Sequence, residues 1–305
     1  MNHHAKTARA SALILAWLLA AVAGPLQALE PELVSAPDSV PLCVVEAGNP
    51  TGRPILFIHG LTQSHAVFKR QFESSLAKDY RLVAFDLRGH GCSGKPWERA
   101  SYAASEVWAN DIRAIIQQKK LERPVIVAWS FGALTVADYV RKYGTADLAA
   151  IVLTGSDAAL LPVTDAAVRE QRQKQRAANA KYPLSIEVGA ESASRFVTLM
   201  GGEAKLGDIA RLMDVSYQML PVYARRVITS REFDNSDLGS RLKLPVLFFE
   251  GGADGAVQIA PLTLFAKTLP DAKVLAIPGN GHTAFIESAE RFNAELRELM
   301  ERLAR

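Results

Sequence analysis

Val125-Ile126-Val127-Ala128-Trp129-Ser130-Phe131-Gly132-Ala133 is the stretch whose residue types and spacing point most directly to chemistry. The apolar, mostly β-branched residues before Ala128 read as a short buried strand, and Ala133 to Val140 carries helical spacing. Between them lies small-x-Ser-x-Gly, the nucleophile-elbow pattern with Ala128 in place of its first glycine. A serine on so tight a strand-to-helix turn is held out of the sheet with its hydroxyl accessible. The backbone N–H of Phe131, at the helix N-terminus, is placed to stabilise a developing oxyanion. Residues 128, 132 and 133 are small because strand and helix nearly touch at such a turn.

A serine hydroxyl attacks poorly until a base takes its proton, and the base must be held in the right tautomer by an acid. In a parallel sheet the strand ends face one edge, so partners are expected directly after strands. After Phe249 comes Glu250-Gly251-Gly252-Ala253-Asp254-Gly255, and after Ile277 comes Pro278-Gly279-Asn280-Gly281-His282. Asp254 and His282 therefore join Ser130 as candidate acid and base. Asp157 also follows a strand and is the alternative acid; the glycine-rich loop favours Asp254.

The elements that must position these residues alternate between strand and helix. Strands are expected over Val40 to Glu46 (hairpinned with residues near Leu33), Pro54 to Ile58, Tyr80 to Phe85, Val125 onward, Ala149 to Leu153, Pro245 to Phe249 and Lys273 to Ile277. Helices are expected over Val67 to Ala77, Ser101 to Lys120 and Glu290 to Leu303. This rhythm predicts an α/β fold with a mostly parallel, doubly wound sheet covered on both faces. It breaks between residues 158 and 237, where only helical patterns occur: Asp165 to Ala180, Ser185 to Met200, Ala204 to Met219 and Val222 to Phe233. The expected organisation is a core over 29–157 and 238–305 with a helical cap inserted at 158–237. The densely charged run from Asp165 to Lys181 reads as a solvated outer face.

Five motifs together resemble the α/β-hydrolase superfamily: Phe57-Ile58-His59-Gly60-Leu61, Asp86-Leu87-Arg88-Gly89-His90-Gly91, Ala128-Trp129-Ser130-Phe131-Gly132, Gly251-Gly252-Ala253-Asp254 and Gly279-Asn280-Gly281-His282. The chain order Ser, Asp, His is the order that resemblance implies. It further implies that the backbone N–H of Leu61 is the second oxyanion donor beside Phe131, and that His59 shapes its turn rather than acting as a base. Asp86 and the Arg88–Gly91 loop would brace the elbow. A serine rather than an aspartate at position 130 argues against epoxide hydrolase and haloalkane dehalogenase chemistry.

The expected activity is hydrolysis of a small, partly hydrophobic carboxylic ester through an acyl-enzyme. Carbon–carbon bond hydrolysis, lactone opening and cofactor-free perhydrolysis are alternatives on the same three residues. A catalytically silent hydrolase-like binding protein is the non-enzyme alternative; such proteins usually lack a triad member, and none is missing here.

Composition fits this reading. With 49% hydrophobic and 22% charged residues, the 305-residue chain is ordinary globular material. The formal charge of +3 includes Lys6 and Arg9, and the remainder is close to neutral. There is no basic stripe with interleaved aromatics, so nucleic acid is not an expected partner. No Cys/His cluster has metal-ligand spacing, and neither metal nor cofactor is expected.

The first 28 residues have the layout of an export signal: a mildly basic start, an uncharged apolar run from Ala10 to Ala23, and small residues permitting cleavage after Ala23 or Ala28. A periplasmic or secreted protein is expected, with membrane contact only if that segment stays uncleaved. Cys43 and Cys92 are the two cysteines. Since strand order governs their proximity, two separate thiols are expected, with a disulfide as the alternative.

Overall fold

The structure, a computed structural model, describes residues 29–183 and 185–305. The export-signal reading of residues 1–28 falls outside them. Eight strands form one sheet: β1 (Glu32–Ser35), β2 (Pro41–Gly48), β3 (Pro54–Ile58), β4 (Arg81–Phe85), β5 (Val125–Trp129), β6 (Ala150–Thr154), β7 (Val246–Gly251) and β8 (Ala272–Ile277). Their order is β1-β2-β4-β3-β5-β6-β7-β8. The β1–β2 and β2–β4 pairs are antiparallel and all others parallel.

The central strands are apolar almost throughout because both of their faces are covered. Leu56, Ile58, Ile126 and Ala128 join one buried cluster, and the alternating Ile55, Phe57, Val125 and Val127 join the other. Helix α1 (Ser105–Gln118) covers the first face with Trp108, Ile112, Ile115 and Ile116, spaced i, i+4, i+7, i+8. Beside it lies α2 (Phe131–Tyr143), which starts at the end of β5.

Among the described residues five α-helices connect β6 to β7: α3 (Ala166–Asn179), α4 (Ile186–Leu199), α5 (Gly202–Leu206), α6 (Ile209–Met219) and α7 (Val222–Thr229). After β7 come α8 (Ile259–Ala266) and, past β8, α9 (Ala289–Arg302). Helix α9 buries Phe292, Leu296, Leu299 and Met300 against the second face. Each such side chain contributes about 1.5–3 kcal/mol relative to exposure. Among the described residues no helix is long and apolar enough to cross a membrane.

The following elements depart from the sequence expectation, each for a local reason. The helix expected over Val67 to Ala77 is broken into short turns. There the Ser74 hydroxyl donates to the Gln71 carbonyl (2.7 Å) and accepts from the Leu76 N–H (3.2 Å), competing with the backbone ladder. The helix expected from Ala204 splits at Gly207, whose φ of 59° caps α5 and turns the chain into α6. Extended backbone at Ala104 (φ −83°, ψ 144°) likewise separates a single turn at Ala100–Ala103 from α1. Helix α8 had no counterpart in the sequence pattern, since its run Ile-Ala-Pro-Leu-Thr-Leu-Phe-Ala lacks a polar face and contains Pro261.

The cysteines are a correction. Cys43 and Cys92 form a disulfide, with Cα atoms 5.5 Å apart, rather than two separate thiols. The reason is strand order: β4 lies directly beside β2, so the loop leaving β4 returns past Cys43. The Cys43 N–H donates to Ser93 Oγ (2.8 Å), and the Asp86 N–H donates to the Cys43 carbonyl (2.8 Å).

Candidate active site

Ser130 closes β5 with φ 53° and ψ −116°, a conformation that side chains other than glycine rarely adopt. Its N–H donates to the Thr154 carbonyl at the end of β6 (3.0 Å), which fixes the turn to the sheet edge. The two small positions of the elbow have different causes. A Cβ on Gly132 would stand 2.5 Å from the Ile58 carbonyl oxygen and 2.7 Å from that of His59, so glycine is obligatory there. Ala128 sits in register with Ile58 inside the strand without a positive φ, so a methyl group fits where the pattern has glycine.

Three of the predicted residues meet. Ser130 Oγ lies 2.9 Å from His282 Nε2, and His282 Nδ1 lies 2.8 Å from Asp254 Oδ2. Burial alone would raise the Asp254 carboxyl, but its hydrogen bond to His282 and the attached charge outweigh this and hold it below the ordinary carboxylate range. With the carboxylate ionised, Nδ1–H is the donor to it, and the Nε2 lone pair is left to accept the Ser130 hydroxyl. Asp254 Oδ1 accepts the Ala256 N–H (2.8 Å), and its side chain is only 4% exposed. Asp157 is not part of this chain; its carboxylate accepts the Ala159 N–H (2.9 Å) and shapes the turn after β6.

The two expected oxyanion donors lie beside the same serine. Phe131 is the first residue of α2, where the preceding strand leaves its N–H without a helical partner. A Cβ on Gly60 would stand 3.1 Å from the Ser130 Cβ and 3.0 Å from the Trp129 ring, so the Gly60–Leu61 turn lies directly against the elbow. Among the described residues neither the Leu61 nor the Phe131 N–H donates to another protein atom across a turn, loop or cap.

His59 is fully buried, accepts the Leu87 N–H at Nε2 (3.0 Å), and therefore carries its proton on Nδ1, which donates to the Gly60 carbonyl (2.7 Å). Burial pushes it down to about 4, so the ring is neutral at physiological pH. Asp86, also buried, accepts from the His65 N–H (2.7 Å), His65 Nδ1 (2.9 Å) and the Cys92 N–H (2.9 Å). Burial opposes its charge, but these contacts prevail and hold it at about 2. Arg88 is bidentate to Asp111 (2.7 and 2.6 Å) and to Asp38 (2.8 and 3.1 Å), which anchors the loop's far end on α1.

Several neighbours carried no individual sequence signal. The Trp129 Nε1–H donates to the His282 carbonyl (2.8 Å), so the residue before the serine holds the histidine's backbone. Gly155 (φ 60°) leaves room for that histidine: a Cβ would stand 2.7 Å from the His282 carbonyl oxygen. Glu250 is fully buried at the end of β7 and accepts the Gly155 N–H (2.7 Å). Burial, together with the charge of Asp254, raises its carboxyl well above the ordinary value.

Lys205 of α5 reaches the histidine loop, donating to the Gly279 carbonyl (3.1 Å) and pairing with Glu287 (2.7 Å). Glu287 in turn accepts the Gly281 N–H (2.8 Å) and the Thr283 hydroxyl (3.0 Å). Cys43, Cys92 and Asp86 are the one close trio of potential metal ligands among the described residues, and the disulfide consumes both sulfurs.

Comparison with known proteins agrees with this fold. The chain is 27% identical over 276 residues to the AB hydrolase superfamily protein YisY of Bacillus subtilis, covering 84% of this chain and 94% of that one. It is 26% identical over 284 residues to a non-heme haloperoxidase of Rhodococcus erythropolis, covering 88% and 98%. A crystal structure of a putative aryl esterase from Burkholderia cenocepacia superposes with a TM-score of 0.76 at 29% identity, covering 90% of this chain and 99% of the other. The family model described as alpha/beta hydrolase fold matches residues 53–289, which takes in β3 to β8 and all three residues of the hydrogen-bonded chain. On the sheet order, the strained serine turn and this match, the chain belongs to the α/β-hydrolase fold family.

Proposed function

We propose that this hydrolase cleaves small, partly hydrophobic carboxylic esters through an acyl-enzyme formed on Ser130. The observation that carries the reading is the uninterrupted path Ser130 Oγ–His282–Asp254, with links of 2.9 and 2.8 Å, built on a serine held at φ 53°. His282 Nε2 removes the hydroxyl proton as Oγ attacks the carbonyl carbon. The Leu61 and Phe131 N–H groups receive the oxyanion, and Asp254 stabilises the imidazolium. His282 then protonates the departing alcohol. A water molecule, deprotonated by the same imidazole, releases the acid.

The likeness to a putative aryl esterase supports an ester substrate. The helices over 158–237 act as a cap: α6 touches the oxyanion turn through Ser216 Oγ to Ser64 Oγ (2.8 Å), and α5 holds the histidine loop. Export to a periplasmic or extracellular compartment suits the disulfide.

The test is turnover of p-nitrophenyl butyrate by the wild type and by Ser130→Ala. The variant is expected to lose activity by several orders of magnitude, and retained turnover would overturn the assignment. A second reading draws on the likeness to a non-heme haloperoxidase: hydrogen peroxide replaces water at the acyl-enzyme and releases a peracid. Peroxide-dependent peracid formation from acetate, abolished in Ser130→Ala, distinguishes it.

A further inference from the structure

The Cys43–Cys92 disulfide stands apart from the reacting atoms, yet buried hydrogen bonds connect it to one oxyanion donor. The Cys92 N–H donates to Asp86 Oδ2 (2.9 Å), and the Ser93 hydroxyl donates to the Asp86 carbonyl while accepting the Cys43 N–H (2.8 Å). Asp86 is followed by Leu87, whose N–H donates to His59 Nε2 (3.0 Å). His59 Nδ1–H then grips the Gly60 carbonyl (2.7 Å). That carbonyl and the Leu61 N–H are opposite ends of one planar peptide unit, so fixing the oxygen fixes the direction of the N–H. Asp86, His59 and Cys43 are fully buried and Ser93 nearly so, whereas Cys92 faces solvent.

We propose that the Cys43–Cys92 disulfide is a positioning element for the Leu61 oxyanion donor, so that dithiol reductants inhibit the hydrolase. This rests on the serine-hydrolase reading above. A dithiol's thiolate attacks Cys92 Sγ, the exposed end, and Cys43 leaves as a thiolate that takes up a proton. The second thiol of the reductant then displaces Cys92. Two electrons pass to the cystine, and the reductant departs as a cyclic disulfide. The two thiols now require van der Waals separation instead of bond length. Cys43 is locked inside β2 between β1 and β4, so the displacement falls on the Cys92 loop and is passed through Asp86–Leu87 to His59. The strands themselves stay paired, since backbone bonds hold them.

The experiment treats the oxidised enzyme with excess dithiothreitol and confirms two free thiols by alkylation and mass. It then measures kcat and KM for p-nitrophenyl butyrate, together with inhibition by a trifluoromethyl ketone whose adduct places an oxyanion in the hole. Complete loss of one donor costs about 10²–10³ in kcat. Displacement of it is expected to lower kcat by about tenfold to a hundredfold and to weaken the ketone in parallel, with KM within about threefold.

His59→Phe, which leaves the disulfide intact, tests the same path should reduction unfold the chain by near-ultraviolet circular dichroism. It is expected to show the same kcat loss and to become insensitive to dithiol. A fully reduced, folded enzyme with kcat within twofold of the oxidised form overturns the proposal. So does an unchanged ketone affinity, an unchanged kcat in His59→Phe, or losses from His59→Phe and reduction that multiply independently. Failure of the underlying reading looks different: Ser130→Ala would turn over the ester in either redox state.

Discussion

Gly155→Ala is the substitution whose effect can be worked most fully from the geometry. The added Cβ would stand 2.7 Å from the His282 carbonyl oxygen, 3.0 Å from Trp129 Nε1 and 3.1 Å from His282 Nδ1. Ordinary contact begins at 3.4 Å, so the histidine loop must retreat by about 0.7 Å, stretching the Trp129 bond that holds it. A misplacement of about 1 Å can cost about a hundredfold in rate, so a loss of about tenfold to a hundredfold is expected here. That equals about 1.4–2.7 kcal/mol of transition-state stabilisation.

Positive φ adds a separate cost in stability, about 1–2 kcal/mol for an alanine at this position. Gly144→Ala isolates that cost: its φ is 73°, but a Cβ there meets nothing within 4 Å. The assay is kcat and KM for p-nitrophenyl butyrate alongside thermal unfolding of both variants. Both should lose stability, and Gly155→Ala alone should lose kcat. Equal activity in the two variants, or a Gly155→Ala kcat within twofold of wild type, would refute the reasoning.

Three further outcomes follow from the same contacts. Asp254→Asn should lower kcat by about 10⁴ because the amide favours the wrong imidazole tautomer, whereas Asp157→Asn should change it less than tenfold; steady-state kinetics of the two variants separates them. Asp86 is held at about 2 against an ordinary 3.8, so its stabilisation of about 2 kcal/mol is fully present above pH 4 and is lost as pH falls through 2. Denaturant melts between pH 5 and 2 should show this decline, and Asp86→Asn should flatten it. Lys205→Met leaves Glu287, 5% exposed, without its cation; about 1–2 kcal/mol of stability and a severalfold drop in kcat should follow, read by unfolding and by p-nitrophenyl butyrate turnover.

How far the fold and site could be read from the residues depended on whether the signal was local. Ser130, Asp254 and His282 each come after a mainly apolar strand in a chain that alternates strand and helix, a rhythm that predicts parallel strands sharing an edge, so three distant positions could be brought together without coordinates. The disulfide could not, because it depends on β4 lying between β2 and β3. Trp129, Gly155 and Glu250 act by close approach across the sheet edge, which no spacing rule encodes.

Lys205 lay inside one expected helix, and only the turn at Gly207 sets it on a short segment reaching Gly279. The charged helix α3 shows a related limit. Its lack of buried residues fits the solvated face expected, yet Arg172 and Arg176 also line a cavity of about 330 Å³ with Leu134, Ser156 and Phe233, facing the core. Polarity reports what a helix avoids burying, not what stands opposite it.

The most direct measurement is labelling of the intact oxidised protein with a fluorophosphonate, read by intact mass and by mapping of the modified peptide. A single adduct on Ser130, absent from Ser130→Ala and strongly slowed in His282→Ala, is the predicted result. An adduct elsewhere, or labelling that persists undiminished in Ser130→Ala, would contradict it.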